Sequence, residues 1–96
     1  MDVNPKNFPE ILKKDKAIVD FWAPWCGPCI NLAPIIEEVS KESGVDLVKC
    51  NIQDFPEMAE QYNIMSIPTV LVMEKGIIKE TIVGTRPKQN YLNALK

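Results

Sequence analysis

The chain has 96 residues, 46% of them hydrophobic, and its 11 basic and 13 acidic side chains give a formal net charge of −2. A chain of this length folds around a single core, so we predict one domain over residues 1–96. The slight acidic excess argues against a dedicated nucleic-acid-binding protein, and no apolar run approaches the roughly 18 residues that a membrane span requires.

The first elements are predicted from a helix signal and an apolar run. Asn4 and Pro5 are typical of an N-cap and a first helical position, so we predict a short helix from there to about residue 14. Residues 17–22 (AIVDFW) are almost continuously apolar, which is typical of a strand buried on both faces. Residues 23–28 contain two prolines and a glycine, and we predict that they form a loop.

The longest helix is predicted to begin near Cys29 and to end before Gly44. Apolar residues recur through this segment with helical spacing, which gives the helix one inward face. Glycine is the residue best suited to the position that follows a helix. Pro34 lies inside this helix and removes one backbone hydrogen bond, so we expect a kink there.

A second strand and a hairpin are predicted further along the chain. Residues 45–50 have a strand pattern, and Asp54 and Glu57 have the spacing of a capping box at the start of a short helix. Residues 69–74 and 77–83 flank a Lys-Gly turn and predict two antiparallel strands.

The last helix is predicted over residues 85–96, with Tyr91, Leu92 and Leu95 on its inner face. The alternation of strands and helices predicts an α/β fold with a parallel sheet and helices on both faces, to which the final hairpin adds an antiparallel edge. A marginal extra strand is predicted at residues 2–3.

The three cysteines and the absence of histidine limit the chemistry. Without histidine, the chain has no Cys–His or Ser–His–Asp catalytic group and no His-ligated metal. Cys26 and Cys29 form a Cys-x-x-Cys between a strand and a helix. Backbone N–H groups and the helix dipole favour negative charge there, so we expect an exposed Cys26 sulfur with its pKa lowered toward neutrality. Cys26 would attack a disulfide, and Cys29 would resolve the mixed disulfide.

Other interpretations of these cysteines remain open at this point. One alternative is that Cys26 and Cys29 supply two of the four ligands of a structural zinc site. Cys50 is the only further thiol, so a complete site would need cysteines from two chains. An inert pair of core cysteines is a second alternative. Cys50 itself is predicted to be a small buried hydrophobic residue.

Residues 20–29 (DFWAPWCGPC) resemble the active-site segment of the thioredoxin family. Residues 67–69 (IPT) are similar to the family's substrate-loop proline motif, residues 83–84 (VG) to its third surface loop, and Pro34 to its helix-kink proline. The resemblance spans essentially the whole chain. It implies the thioredoxin fold, with a central mixed sheet of four to five strands flanked by helices on both faces, and the activity of a protein-disulfide reductase.

The resemblance also implies roles for two charged residues. Strand alternation places Asp20 on the same face as Ile18 and Trp22, where desolvation should raise its pKa. In the family, the matching aspartate helps to deprotonate the resolving cysteine, and Lys49 occupies the position that approaches it from the next strand. The alternatives are a partly solvated Asp20 and a Lys49 that only reaches solvent.

Five residues are implied to bind substrate. Trp25, Pro28, Ile67 and Gly84 would form a flat apolar surface around Cys26, which suits docking of varied protein targets. Pro68 is predicted to be a cis proline whose loop faces the cysteines, with the preceding backbone pairing with the substrate chain. The alternatives are a trans Pro68 and an Ile67 that only packs in the core.

The resemblance implies partners rather than a bound cofactor. Electrons would come from a separate thioredoxin reductase, flavin- or ferredoxin-dependent, and the substrates would be disulfide-containing proteins. We predict no metal, nucleic-acid or membrane partner, and a monomer. We also predict a cytoplasmic location, because the first residues lack the pattern of a signal peptide. A specialised thiol carrier for one partner and a non-redox binding module are the alternative functions.

Overall fold

The computed structural model describes Asp2 and residues 6–96. The predicted helix start at Asn4 and Pro5, and Val3 of the predicted extra strand, lie outside the described residues. Asp2 makes an isolated parallel bridge with Lys49, so in the described residues the extra strand is a single bridge.

Four helices and four strands make up the described part of the chain. The helices are α1 (Phe8–Ile11), α2 (Gly27–Ser43), α3 (Pro56–Gln61) and α4 (Lys88–Ala94). The strands are β1 (Ala17–Trp22), β2 (Asp46–Asn51), β3 (Thr69–Glu74) and β4 (Ile77–Val83). No helix among the described residues is long and apolar enough to cross a membrane.

The sheet has the order β2-β1-β3-β4 and is mixed, as the resemblance to the thioredoxin family implies. β1 and β2 are parallel, but β3 runs antiparallel to β1, so the predicted parallel arrangement of the first three strands is wrong. The chain leaves β2 at the end of the sheet where β1 also finishes, because the two strands are parallel. β3 begins at that same end, where Thr69 pairs with Phe21, and therefore runs in the opposite direction.

The sheet separates two hydrophobic cores. Successive side chains of β1 point to opposite faces, so Val19 and Phe21 pack on one side and Ile18 on the other. The first core, towards α1 and α3, contains the buried residues Phe8, Ile11, Ala17, Val19, Phe21, Val48, Cys50, Met58, Leu71 and Met73. The second core, towards α2 and α4, contains Ile18, Leu32, Ile36, Val39, Val70, Val72, Tyr91 and Leu95. Helices therefore cover both faces of the sheet, as predicted.

Helix α2 starts two residues earlier than predicted, at Gly27, with Cys26 as its N-cap. It continues through Pro34, which is exposed, and ends at Gly44 as predicted. The φ angle of Gly44 is +73°, a left-handed conformation that glycine adopts without a side-chain penalty.

Prolines also account for two helix starts that were predicted wrongly. A residue before proline is disfavoured in helical conformation. Phe55, before Pro56, is therefore the N-cap of α3, and the predicted capping box at Asp54 and Glu57 does not form. Pro87 likewise delays α4 to Lys88 instead of residue 85.

Two smaller boundary differences complete the fold. Helix α1 ends at Ile11 rather than near residue 14, because the chain then turns and the carbonyls of Lys14 and Asp15 accept hydrogen bonds from the Lys75 amide. Strand β2 is shifted by one residue and ends at Asn51.

Candidate active site

Cys26 and Cys29 are joined by a disulfide at the N-terminus of α2, with their Cα atoms 5.3 Å apart. The backbone of Cys26 is extended, as expected for an N-cap, and its Sγ accepts a hydrogen bond of 3.2 Å from the Cys29 amide. The first sulfur therefore lies among the unpaired N–H groups of the first helical turn. These groups and the helix dipole favour a thiolate at Cys26 when the pair is reduced.

The disulfide is more buried than the sequence predicts. Cys26 is 6% and Cys29 3% exposed, so the expectation of an exposed Cys26 sulfur is wrong for this oxidised form. Ala23 is buried in the same cluster, and three partly buried side chains pack against it, namely Trp22, Ile52 and Ile67. The packing covers most of the sulfur surface, and only a small part of it remains accessible.

Residues with exposed apolar surface flank the disulfide in the chain. Trp25 directly precedes Cys26 and is 68% exposed, and Pro28, between the cysteines, is also exposed. Ile67 comes from a distant segment and packs directly against the disulfide cluster. Three of the residues predicted to bind substrate are therefore at the disulfide.

The Ile67–Pro68 peptide bond is cis, as predicted. The Pro68 side chain is fully buried, so only the backbone and neighbours of this residue are available to a partner. Its carbonyl accepts a hydrogen bond of 2.9 Å from the Gly84 amide. The third surface loop is therefore tied to the proline loop, and Gly84 itself is half-buried.

A second hydrogen bond of the third surface loop reaches the cysteine segment. The Thr85 Oγ1 donates to the carbonyl of Pro28 over 3.4 Å. The segments around Pro28, Pro68 and Gly84 thus converge although they lie far apart in the sequence. Nothing in the sequence pattern singles out Thr85 beyond its position directly after Gly84.

Asp20 is buried in the middle of β1. It is 2% exposed, and its Oδ1 has no hydrogen-bond partner among the described residues. Burial raises the pKa of Asp20 to about 6, and the nearby charge of Lys49 partly opposes that rise. The predicted burial and the predicted direction of the pKa shift are confirmed, and a partly solvated Asp20 is excluded.

Lys49 is directly opposite Asp20 in the parallel register of β1 and β2. Its side chain is 24% exposed, and its Nζ lies 3.6 Å from Oε1 of Glu37 on α2. The lysine is therefore held between a buried and a surface carboxylate rather than extending freely into solvent. The sequence pattern gives no signal for Glu37, since the contact depends on how α2 packs beside β2.

Cys50 and Trp22 occupy supporting positions. Cys50 is a fully buried free thiol in the first core, and burial, with a contribution from Glu57, raises its pKa to about 11. The thiol is therefore protonated at neutral pH. Trp22 is half-buried against the disulfide cluster, and its Nε1 has no hydrogen-bond partner among the described residues. Within the described residues, no group of three or more Cys, Asp or Glu side chains is arranged to hold a metal ion.

Comparison with known proteins decides the family. The thioredoxin family model matches residues 1–96, the whole chain. The chain belongs to the thioredoxin family. Cys26 and Cys29 occupy the family's Cys-x-x-Cys position, and the chain is a thiol–disulfide oxidoreductase with a redox-active disulfide. Membership implies, in general terms, a reductase and disulfide-containing proteins as partners.

Individual thioredoxins agree with this assignment. The chain is 44% identical to a chloroplastic M-type thioredoxin from Spinacia oleracea over 99% of its own length, which corresponds to 55% of that longer protein. It is 47% identical to a thioredoxin from Rickettsia bellii, over 95% of this chain and 90% of the relative. The structure of a mutant thioredoxin from Halobacterium salinarum superposes with a TM-score of 0.93, over 99% of this chain and 86% of the other, at 23% identity. That similarity confirms the thioredoxin fold.

Proposed function

We propose that this thioredoxin reduces disulfides of partner proteins, with Cys26 as the attacking and Cys29 as the resolving thiol. The observation that supports this assignment is the position of the Cys26 Sγ at the N-cap of α2, where it accepts the Cys29 amide hydrogen. The Cys26 sulfur has the first helix amides in front of it. The thiolate that they stabilise is the nucleophile in disulfide exchange.

The proposed cycle transfers two electrons. The Cys26 thiolate attacks one sulfur of a substrate disulfide, forms a mixed disulfide and releases the other sulfur as a thiolate, which takes up a proton. The Cys29 thiolate then attacks the Cys26 sulfur and releases the second substrate thiolate. The substrate disulfide is reduced to two thiols, and the Cys26–Cys29 pair is oxidised to the disulfide that the structure contains.

Asp20 is the proposed acceptor of the Cys29 proton. Asp20 lies on the same face of β1 as Trp22, which packs against the disulfide, and the two residues are about 7 Å apart along the strand. A carboxyl with a pKa of about 6 exchanges protons readily near neutral pH. Lys49 would adjust that pKa through its charge. Asp20→Asn should therefore slow the decay of the mixed disulfide near pH 7, measured by stopped-flow fluorescence.

Trp25, Pro28, Ile67, Pro68 and Gly84 are the proposed docking surface. The exposed Trp25 and Pro28 supply apolar area beside the accessible sulfur, and Ile67 borders the disulfide. Pro68 would act through the backbone that precedes it, because its side chain is buried. A surface with few specific polar groups suits varied protein targets.

The finer statements about partners and location also belong to this proposal. We expect a monomer that is recycled by a flavin- or ferredoxin-dependent reductase, with a reduction potential near the value of about −270 mV typical of thioredoxin. A cytoplasmic location is supported by the odd number of cysteines and by the free thiol of Cys50, which are typical of proteins from reducing compartments.

The assignment of the two thiols is tested by trapping. In Cys29→Ser the resolving thiol is absent, so stable mixed disulfides between Cys26 and lysate proteins should accumulate, visible on non-reducing gels and reversed by dithiothreitol. The matched control carries both Cys26→Ser and Cys29→Ser and retains only the buried Cys50, so it should trap nothing. Equal amounts of adduct from the two variants would contradict the proposed roles.

A further inference from the structure

The loop between β4 and α4 is exposed and has no regular secondary structure. It comprises residues 84–87, and Thr85, Arg86 and Pro87 are all exposed. Two of its hydrogen bonds point towards the disulfide region, from the Gly84 amide to the Pro68 carbonyl and from the Thr85 hydroxyl to the Pro28 carbonyl. The position of this loop therefore affects the geometry of the docking surface.

The same loop is held from below by the hydroxyl of Tyr91. This hydroxyl accepts a hydrogen bond of 3.1 Å from the Arg86 amide and donates one of 3.3 Å to the Gly84 carbonyl. Tyr91 is 1% exposed and packs in the second core, with its ring among buried residues such as Leu32 and Ile36. One end of the side chain is thus fixed by the core and the other end by the loop.

We propose that Tyr91 is a positioning residue for substrate docking: its hydroxyl joins the Gly84 carbonyl to the Arg86 amide and holds the loop in the conformation that receives protein disulfides. The proposal goes beyond the roles of the cysteines, and it rests on the proposed function of Gly84 in docking.

Packing of the Tyr91 ring in the core does not explain why this residue carries a hydroxyl. A phenylalanine ring would fill the same space in the core, and a buried hydroxyl is costly unless it is hydrogen-bonded. Here the hydroxyl is used both as donor and as acceptor, and both partners belong to the same three-residue stretch. The Tyr91 hydroxyl thereby connects α4 to the loop directly before it.

The two hydrogen bonds of the Tyr91 hydroxyl persist at neutral pH. Burial raises the pKa of Tyr91, the Arg86 amide partly opposes the rise, and the charge of Asp20 adds to it. The phenol therefore keeps its proton and remains able to donate to the Gly84 carbonyl. A loop held in its binding conformation loses less conformational entropy when a partner docks, which increases the rate and the affinity of productive encounters.

The test compares Tyr91→Phe with the parent protein in the fully reduced form. The second-order rate constant with insulin should fall about three- to tenfold, which is the size expected when part of the net contribution of the two lost hydrogen bonds is expressed in docking. The rate constant with 5,5′-dithiobis(2-nitrobenzoate), a small disulfide that does not need the loop, should stay unchanged. The exchange rate of the Arg86 amide with water, measured by NMR, should rise about tenfold or more on the same grounds.

Tyr62→Phe is the matched control. Tyr62 also loses only a hydroxyl, but it packs against the first core on the opposite face of the sheet. All rates are measured at a temperature at which each variant is fully folded, so a change in stability alone would not alter the insulin rate. Tyr62→Phe should leave the rates with both disulfides and the Arg86 exchange rate unchanged.

Each outcome decides the proposal. An unchanged Arg86 exchange rate in Tyr91→Phe would overturn the hydrogen bonds of the Tyr91 hydroxyl to the loop, and an unchanged insulin rate would overturn their role in docking. Equal slowing with insulin and with the small disulfide would place the effect at the thiols and would also overturn it. A separate variant tests the proposed docking surface. If that surface does not bind substrate, Trp25→Ala will leave the rate constant with insulin unchanged, although Tyr91 is retained.

Discussion

Asp20 has lost its hydration without gaining a hydrogen bond to Oδ1 from any described residue. Water stabilises a carboxylate more than it stabilises the neutral acid, so burial favours the protonated form. The charge of Lys49, which also contacts Glu37, reduces the rise in the pKa of Asp20 without cancelling it. At the scale of single residues, the buried Asp20 carboxyl therefore lowers the free energy of unfolding when it is ionised.

The free energy of unfolding should fall as the pH rises through the pKa of Asp20. The group titrates at 3.8 when solvated and at about 6 in the folded state, so between these values the folded protein binds more protons than the unfolded chain. The contribution of protonated Asp20 to stability is fully present below about pH 4, and about 3 kcal/mol is lost as the pH rises through 6. Asp20→Asn, which cannot ionise, should be more stable than the parent at pH 8 by about that amount.

Urea unfolding at pH 4 and at pH 8 measures this difference. The two proteins should differ little at pH 4, where Asp20 is mostly neutral. A stability difference of the same size at both pH values would show that the gain does not come from ionisation of Asp20.

The ends of the elements depend on a few backbone-restricting residues. Gly44 ends α2 with φ of +73°, and Pro56 and Pro87 delay the starts of α3 and α4. At the other end of α2, Cys26 is the N-cap, and the start at Gly27 puts the first helical turn directly behind the reactive sulfur. At the scale of the element, the residue at which α2 begins also determines which sulfur faces the first helical amides.

Gly44→Ala should lower the free energy of unfolding by about 1 kcal/mol. No atom lies within 4 Å of a side chain added at Gly44, so the cost is the left-handed conformation itself. Gly27→Ala is the matched control, because a side chain added there is equally free of contacts and the position is helical. The control should be neutral or slightly stabilising in urea unfolding. A similar loss in both variants would exclude backbone strain as the cause.

The whole molecule is organised by one sheet that serves two cores. β1 is central, and its alternating side chains contribute to both, with Ile18 on one face and Val19 and Phe21 on the other. Loss of packing on either face therefore weakens the same sheet. A domain of this size is expected to unfold in a single cooperative transition.

Leu32→Ala and Leu71→Ala test this coupling, because they remove buried leucine side chains from the second and the first core respectively. Each should lower the free energy of unfolding by about 2–5 kcal/mol through lost burial and the cavity left behind. In both variants, tryptophan fluorescence and far-ultraviolet circular dichroism should report the same midpoint in urea. Separate midpoints in either variant would show that the two faces unfold independently.

The sequence by itself determined the features that depend on neighbours along the chain. All four strands were predicted within one residue, because apolar runs and turn residues are local signals. The same holds for Gly44 at the end of α2 and for the position of the dithiol just before a helix. The burial of Asp20 followed from strand alternation, and the cis peptide bond at Pro68 was predicted from the resemblance to the thioredoxin family.

Tertiary structure decided what depends on residues that are distant in sequence. Three features require a particular packing of elements: the direction of β3, the contact of Glu37 with Lys49 and the hydrogen bond of Tyr91 to Gly84. A local pattern does not determine these arrangements, because strand periodicity is the same in both directions and an inward-facing side chain can meet many partners. The physical reason is that contacts between distant residues form only when the whole core is packed, so no short segment of the sequence determines them.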